Sequence, residues 1–177
     1  FGYAKSVGFE AVRLPYKGGR LAMIAVLPAE SSSLSAFRAT LDADSWRSLR
    51  ASFSERMGMV AIPRFNFEKT IQMISPLKAI GMELPFDRMR ADFSNMSRPL
   101  KSEEKLYISA VVQKTFVEVN EEGTEAAAVT AGLMSAVGAS MRRGPPPFRF
   151  VANRPFRFVI EDVATATILF IGEVHDP

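Results

Sequence analysis

Cysteine is absent from this 177-residue chain, and its one histidine is His175. Without cysteine the chain can form no disulfide, thiolate nucleophile or thiolate metal site. A single histidine near the C-terminus gives little support for Ser-His-Asp catalysis or for a transition-metal site. The acidic pairs Glu103-Glu104 and Glu121-Glu122 lack the spacing of a calcium loop. We therefore predict that the chain is not an enzyme and holds neither metal nor cofactor.

Long apolar runs and an excess of one charge are also absent. No apolar run approaches the roughly 20 residues that a membrane-spanning helix needs. The chain carries 22 basic and 19 acidic residues, and its net charge is +3. Basic residues do not dominate any long segment, so neither nucleic acid nor a membrane is expected as a partner. The N-terminus shows neither a signal-peptide pattern nor an initiator Met, which indicates a chain that begins inside a longer or processed protein.

The apolar pattern predicts an α+β fold in which strands predominate. With 47% apolar and 23% charged residues, the chain has enough apolar material for a core. Helices are predicted at residues 34–41 and 45–53, with Asp44 or Ser45 as the cap of the second. Residues 70–81 are predicted to be helical in part, because Pro76 would either kink the helix or place its start near Ser75, and Gly81 would end it. Strands are predicted at residues 9–15, 21–27, 57–65, 106–119, 148–151, 156–160 and 167–174. The pair Gly18-Gly19 predicts a turn that joins the first two strands as a hairpin. No strand–helix–strand alternation is visible, which favours the α+β class.

Residues 120–144 do not fit either pattern, because small side chains dominate them and follow a long predicted strand directly. If this segment is a strand, every second side chain lies on the same face, and that face consists of small residues. That face comprises Thr124, Ala126, Ala128, Thr130 and Gly132. Gly123 would allow the chain to bend where this segment starts. Such a segment could insert into a sheet; the alternative is an alanine-rich surface loop or a short helix.

Three motifs in this order resemble the serpin family. Residues 119–130 (VNEEGTEAAAVT) are similar to the serpin hinge signature. Residues 153–160 (NRPFRFVI) resemble the strand after the reactive loop, and residues 167–174 (TILFIGEV) resemble the closing strand. The resemblance covers essentially the whole chain. It implies a serpin fold with mixed large sheets, a few helices and an exposed reactive-centre loop at about residues 120–147. It also implies that residues 1–177 are the C-terminal portion of a single serpin domain whose N-terminal half is absent.

The resemblance further implies an inhibitor of serine-type endopeptidases that acts as a suicide substrate, with its cut loop inserting as a strand into the central sheet. Its partners would be a target serine or cysteine protease and the N-terminal half of the same serpin. An extracellular location is favoured by the resemblance alone. The alternative is a non-inhibitory serpin with a binding or chaperone-like role. The implied hinge residues are Glu121, Glu122, Gly123, Thr124, Glu125, Ala126, Ala127, Ala128 and Thr130.

Two further assignments follow from the resemblance. Counting from Gly123 by the family's spacing puts the reactive bond between Val137 and Gly138. Cleavage after Met141, Arg142 or Arg143 stays open as an alternative, and the arginines would suit trypsin-like enzymes. Glu121 corresponds to the family's acidic residue at the top of the long strand, and its basic partner would be Arg64, after the Ile-Pro motif. This latch pair could be bidentate.

Overall fold

The computed structural model describes residues 1–96, 106–120 and 145–177. These residues form strands, α-helices and one short 3₁₀ helix at Leu84–Phe86, so the predicted α+β class is observed. The helices are α1 (Leu34–Thr40), α2 (Ala43–Ala51) and α3 (Ile74–Ala79). The strands are β1 (Gly2–Lys5), β2 (Phe9–Pro15), β3 (Leu21–Pro28), β4 (Ser54–Glu55), β5 (Gly58–Ala61), β6 (Phe65–Gln72), β7 (Val112–Val119), β8 (Phe148–Val151), β9 (Phe156–Asp162) and β10 (Thr167–Val174).

The chain divides into two compact units. The first comprises Phe1–Phe65 and Val119–Pro177, and the second comprises Asn66–Glu118. In the first unit, six strands form an antiparallel sheet in the order β10-β9-β3-β2-β1-β4. The hairpin β2–β3 turns through Gly18 and Gly19, whose φ angles of 86° and 69° are left-handed. Glycine adopts this conformation without steric penalty, so the predicted Gly-Gly hairpin is confirmed.

The core of the first unit lies between this sheet and helices α1 and α2. Sheet residues such as Ile24 and Val159 pack with Phe37, Trp46 and Leu49 of the helices. Ser33 caps α1, because its Oγ accepts a hydrogen bond from the amide of Ala36 at 3.1 Å. These contacts hold the helices on one face of the sheet.

The cap of α2 corrects the sequence prediction. Asp42, rather than Asp44 or Ser45, is the N-cap residue. Its carboxylate accepts from the amide of Ser45 at 2.8 Å, and the Ser45 hydroxyl accepts from the amide of Asp42 at 2.8 Å. This reciprocal arrangement is a capping box, which satisfies two otherwise unpaired backbone donors.

The region around Pro63 also differs from the prediction. The single strand expected at residues 57–65 is two strands, β5 and β6, which are separated around Pro63 because proline cannot donate to a sheet ladder. Strand β6 continues to Gln72, so only part of residues 70–81 is helical, and the start near Ser75 is the alternative that agrees with the structure. Helix α3 begins at Ile74 and has Pro76 in its first turn. Amides in the first turn have no hydrogen-bond partner within the helix, so the missing N–H of proline costs no hydrogen bond there. The left-handed Gly81 (φ 99°) follows its end, as predicted.

Two strand boundaries are corrected as well. Only Val112–Val119 of the predicted 106–119 strand is a strand, because the amide of Ile108 instead donates to Pro85 O at 2.8 Å. Strand β9 runs two residues past its predicted end, to Asp162, and the turn lies at residues 163–166. Among the described residues, the helices are all too short or too polar to span a bilayer.

Candidate functional site

The predicted site falls mostly outside the described part of the chain. That holds for all nine hinge residues, for the bond between Val137 and Gly138, and for the alternatives Met141, Arg142 and Arg143. What the structure describes are the two attachments of this segment: strand β7 with Asn120 on one side, and Pro145 with strand β8 on the other. The site is therefore built from these two attachments.

The N-terminal attachment is the second strand of a two-stranded sheet, β6–β7. Glu68 Oε1 of β6 lies 2.6 Å from Lys114 Nζ of β7. Just after the end of β6, the amide of Met73 donates to the carbonyl oxygen of Val111, just before β7, at 2.8 Å. Moving forward along β6 thus means moving backward toward the start of β7, which is the relation of antiparallel strands. The start of β6 and the end of β7 consequently lie at the same end of this sheet.

Arg64 stands at that end. It is exposed and immediately precedes β6, whereas Glu121 is the second residue after β7. The next residue, Phe65, packs against two phenylalanines of β9, with ring centroids 6.0 Å from Phe156 and 5.3 Å from Phe158. This packing fixes the backbone next to Arg64. Since Glu121 lies outside the described residues, the Arg64–Glu121 latch stays a prediction.

The C-terminal attachment is the short parallel pair β5–β8. Its register runs from Gly58 opposite Phe148 to Ala61 opposite Val151. The amide of Phe148 donates to Met57 O at 3.0 Å, and the amide of Ala152 donates to Ala61 O at 2.9 Å. These bonds fix the backbone at the first residue of β8 and just beyond its last residue.

The side chain of Phe148 is held in a fitted space. Its ring stacks on Tyr3, with centroids 4.1 Å apart and planes 13° from parallel. A Cβ added at Gly58 would lie 2.3 Å from the Phe148 ring, so residue 58 must be glycine for this ring to lie where it does. Burial, with a further contribution from the negative charge of Glu10, raises the pKa of the Tyr3 hydroxyl. Tyr3 is therefore neutral and acts here as an aromatic surface.

Sequence reasoning missed this second attachment. It gave no role to Tyr3, Arg56 or Gly58, and it placed Gly58 inside a continuous strand. An isolated glycine within a strand pattern often marks a close approach by another group, so Gly58 was the available signal. Tyr3 and Arg56 carried none, because their contacts with residues 146–148 span most of the chain.

Metal and charge clusters add no further site in the described ranges. There, no group of three or more His, Cys, Asp or Glu side chains could hold a metal ion. The buried acidic residues are Glu161 and Asp162 of β9, and each is paired with an arginine. Glu161 Oε2 accepts from Arg50 Nε at 2.8 Å, and Asp162 Oδ2 accepts from Arg20 Nε at 2.9 Å. Both pairs join residues of the first unit.

Comparison with known proteins identifies relatives of the whole chain. It is 36% identical over 183 residues to "Leukocyte elastase inhibitor A" of Rattus norvegicus, covering 100% of this chain and 46% of that protein. It is 35% identical over 170 residues to "Plasminogen activator inhibitor 1" of Neovison vison, covering 96% of this chain and 40% of that protein. It is 39% identical over 178 residues to "Serpin B6" of Pongo abelii, covering 99% and 44%. The chain thus spans less than half the length of these relatives.

Solved structures share the fold. The native state of the thermophilic serpin Tengpin matches with a TM-score of 0.73 at 31% identity, covering 99% of this chain and 44% of that one. Native protease nexin-1 with heparin matches with a TM-score of 0.76 at 28% identity, covering 100% and 45%. The family model described as "Serpin (serine protease inhibitor)" matches residues 1–177. The α+β fold is therefore the serpin fold, and this chain belongs to the serpin family.

Proposed function

We propose that this chain is the C-terminal portion of a serpin domain that inhibits a serine-type endopeptidase as a suicide substrate. The protease, of the serine or cysteine class, would attack the reactive bond and form an acyl-enzyme. Residues 121–130 would then enter the central sheet as a new strand, carrying the protease with them before deacylation. The catalytic groups belong to the protease, so the serpin itself acts as no enzyme.

The observation that carries this proposal is the position of β7. This strand leads directly into the small-residue segment, and the sheet that it forms has only two strands among the described residues. A sheet edge with unpaired backbone groups is a template for another strand. Small side chains at every second position from Thr124 onward would fit between strands that are already packed. This arrangement supports the proposed hinge residues from Glu121 to Thr130.

Exposed apolar side chains in the second unit support the presence of the rest of the domain. Ile71 of β6 and Val112 and Phe116 of β7 are exposed, as are Ile80 and Met82 after α3. A folded protein seldom leaves so many large apolar side chains in water. We propose that the N-terminal half of the same serpin completes this sheet and covers them. Residues 1–177 on their own are accordingly expected to trap no protease.

The experiment mixes the full-length protein with a trypsin-like enzyme and, separately, with an elastase-like enzyme. The proposal predicts a protease complex that survives boiling in denaturant with at least one of them. Cleavage without any trapped complex, across a panel of serine and cysteine proteases, would contradict it and would favour the non-inhibitory role.

Mass spectrometry of the released C-terminal peptide identifies the reactive bond. We propose cleavage between Val137 and Gly138, which an enzyme with a pocket for small apolar residues would make. A peptide that begins after Met141, Arg142 or Arg143 would move the bond and indicate a different protease specificity. The position of the cut does not test the suicide mechanism, which is tested by the assay for a trapped protease complex.

A further inference from the structure

Three consecutive prolines, Pro145 to Pro147, connect residue 144 to strand β8. Proline has no backbone N–H, so these residues can be tied to the rest of the protein only through their carbonyl groups or ring contacts. A proline run is also stiff, and it transmits the direction of its fixed end to the residues before it. The group that holds its carbonyls therefore influences the direction of the chain just before β8.

Arg56 supplies that group. Its Nη2 donates a hydrogen bond to Pro146 O at 2.9 Å. Its guanidinium carbon lies 5.3 Å from the centre of the Tyr3 ring, on which Phe148 is stacked. One side chain thus contacts the proline run directly and supports the first residue of β8 through Tyr3. We call Arg56, Tyr3, Pro146 and Phe148 the anchor clamp.

The backbone of Arg56 is fixed independently of its side chain. Its amide donates to Phe1 O at 2.9 Å, and its carbonyl accepts from the Phe1 nitrogen at 3.1 Å. The adjacent pairing of β1 with β4 places Tyr3 opposite Ser54. The guanidinium is consequently held by a sheet edge that does not depend on β8, which makes it a fixed point for the proline run.

Strand β8 needs such support, because its backbone pairs with β5 alone among the described strands. The pair spans four residues on each strand, and isolated two-stranded pairings are marginal in water. Parallel pairing is also slightly less stable per residue than antiparallel pairing. The anchor clamp at the first residue of β8 therefore decides whether this end of β8 stays paired with β5.

We propose that Arg56 is a positioning residue of the inhibitor, because it fixes the point and direction at which the reactive segment rejoins the fold. This inference rests on the proposed function. A firmly held C-terminal attachment keeps the uncut segment in one orientation until the protease attacks the reactive bond. After the cut, the inserting residues are no longer joined to β8, so the attachment acts before cleavage. Loosening the clamp would allow β8 to open and would divert molecules to cleaved, uncomplexed product.

The test compares the full-length protein with Arg56→Met, which keeps an unbranched stem as far as the position of Nε and removes the guanidinium with its charge and donors. Arg56→Lys keeps the charge over Tyr3 and serves as the conservative variant. The control is Arg47→Met on α2, since Arg47 is exposed and pairs with Asp44 of its own helix. Hydrogen exchange is followed at the Phe148 and Ala152 amides, which begin and follow β8. The moles of inhibitor consumed per mole of trapped protease are counted in parallel.

Arg56→Met is expected to raise exchange at Phe148 by about tenfold, the factor that corresponds to about 1.4 kcal/mol of local stability. The change at Ala152 should be smaller, and inhibitor consumption should rise several-fold. Arg56→Lys should fall between Arg56→Met and wild type, and Arg47→Met should match wild type. Equal changes at both amides would indicate a merely structural role and overturn the proposal, as would wild-type exchange and consumption in Arg56→Met.

The two proposals fail in different ways. If the wild type is cut by every protease and traps none, the proposed function is wrong, and the contrast between Phe148 and Ala152 exchange still decides whether Arg56 holds the attachment. If the wild type traps protease and Arg56→Met traps it equally well, the proposed function stands and the positioning role is wrong.

Discussion

Glu161 of β9 is fully buried in the first unit. Its carboxylate is paired with the Arg50 guanidinium of α2. The Arg50 side chain is 23% exposed, so water reaches one partner but not the other. Charges buried without a partner are strongly unfavourable, whereas replacing both partners by apolar groups is often tolerated. The pair therefore ties α2 to β9 mainly by making removal of either partner costly.

Arg50→Met in the full-length protein is expected to lower the free energy of unfolding by about 3 kcal/mol, because it leaves Glu161 buried and unpaired. The double variant Arg50→Met/Glu161→Leu should recover a large part of that loss. Urea unfolding measures both, with Arg47→Met as the exposed control. A double variant less stable than Arg50→Met would contradict this account of the pair.

Asp162 gives the fold a dependence on acid. Its pKa is lowered because the Arg20 guanidinium donates to it at 2.9 Å and the amides of Thr165 and Ala164 donate at 3.1 and 3.0 Å. A carboxyl with a lowered folded pKa stabilises the fold above its unfolded pKa of about 3.9. This stabilisation is lost as the pH falls through the folded pKa, where the carboxylate takes up a proton.

We expect Asp162→Asn to be less stable than wild type at neutral pH and to lose less stability on acidification. Urea midpoints from about pH 6 down to about pH 3 measure the difference between the two proteins. The gap should narrow as the pH falls. A constant gap over this range would show that Asp162 contributes by its shape rather than by its charge.

At the scale of elements, the β5–β8 pair depends on the close approach of Phe148 to Gly58. Gly58→Ala would place a methyl group about 2.3 Å from the ring, so the ring or the strand must move. Overpacking of this kind destabilises by about 1–3 kcal/mol. We expect that loss, together with faster exchange at the Phe148 amide. Gly8→Ala is the control, since nothing lies within 4 Å of the added methyl group; equal effects of the two would contradict the close fit.

The alternation in the hinge yields a matched pair of variants. Ala128 belongs to the face that would be buried on insertion, and Ala127 to the opposite face. Ala128→Arg should allow cleavage but greatly reduce trapping, because an unpaired charge buried between strands is unfavourable. Ala127→Arg should retain most of the trapping. The fraction of cut inhibitor found in complex measures both, and equal loss in the two variants would contradict a period of two.

Local patterns predicted the elements better than their ends. The Gly18-Gly19 hairpin and strands β2, β8 and β10 are visible because alternation, turn glycines and β-branched runs act over a few residues. The ends of β9 and α2 were misplaced, because Glu161 is held by a distant arginine and Asp42 by its capping box. The clamp at Arg56 was invisible for the same reason. Its contacts with Tyr3 and Pro146 join parts of the chain that sequence patterns do not relate.

At the scale of the molecule, the chain leaves large apolar surfaces open. Edge strand β10 exposes Ile168, Leu169, Phe170 and Ile171 in succession, with exposed fractions of 41%, 47%, 40% and 55%. Consecutive residues of a strand point to opposite faces, so both faces of this edge are uncovered. An exposed apolar edge strand of this kind favours pairing with another β-strand. The chain spans less than half of the length of the relatives that it matches.

In the proposed function, the cut segment becomes a strand of the central sheet. Strand insertion adds backbone pairing and buried area, so it must stabilise the molecule. The most direct measurement is the thermal unfolding of the full-length protein, intact and after a single cut within residues 121–144. If the segment inserts, we expect the cut protein to unfold at a clearly higher temperature than the intact protein. A cut protein that unfolds at the same or a lower temperature would contradict it.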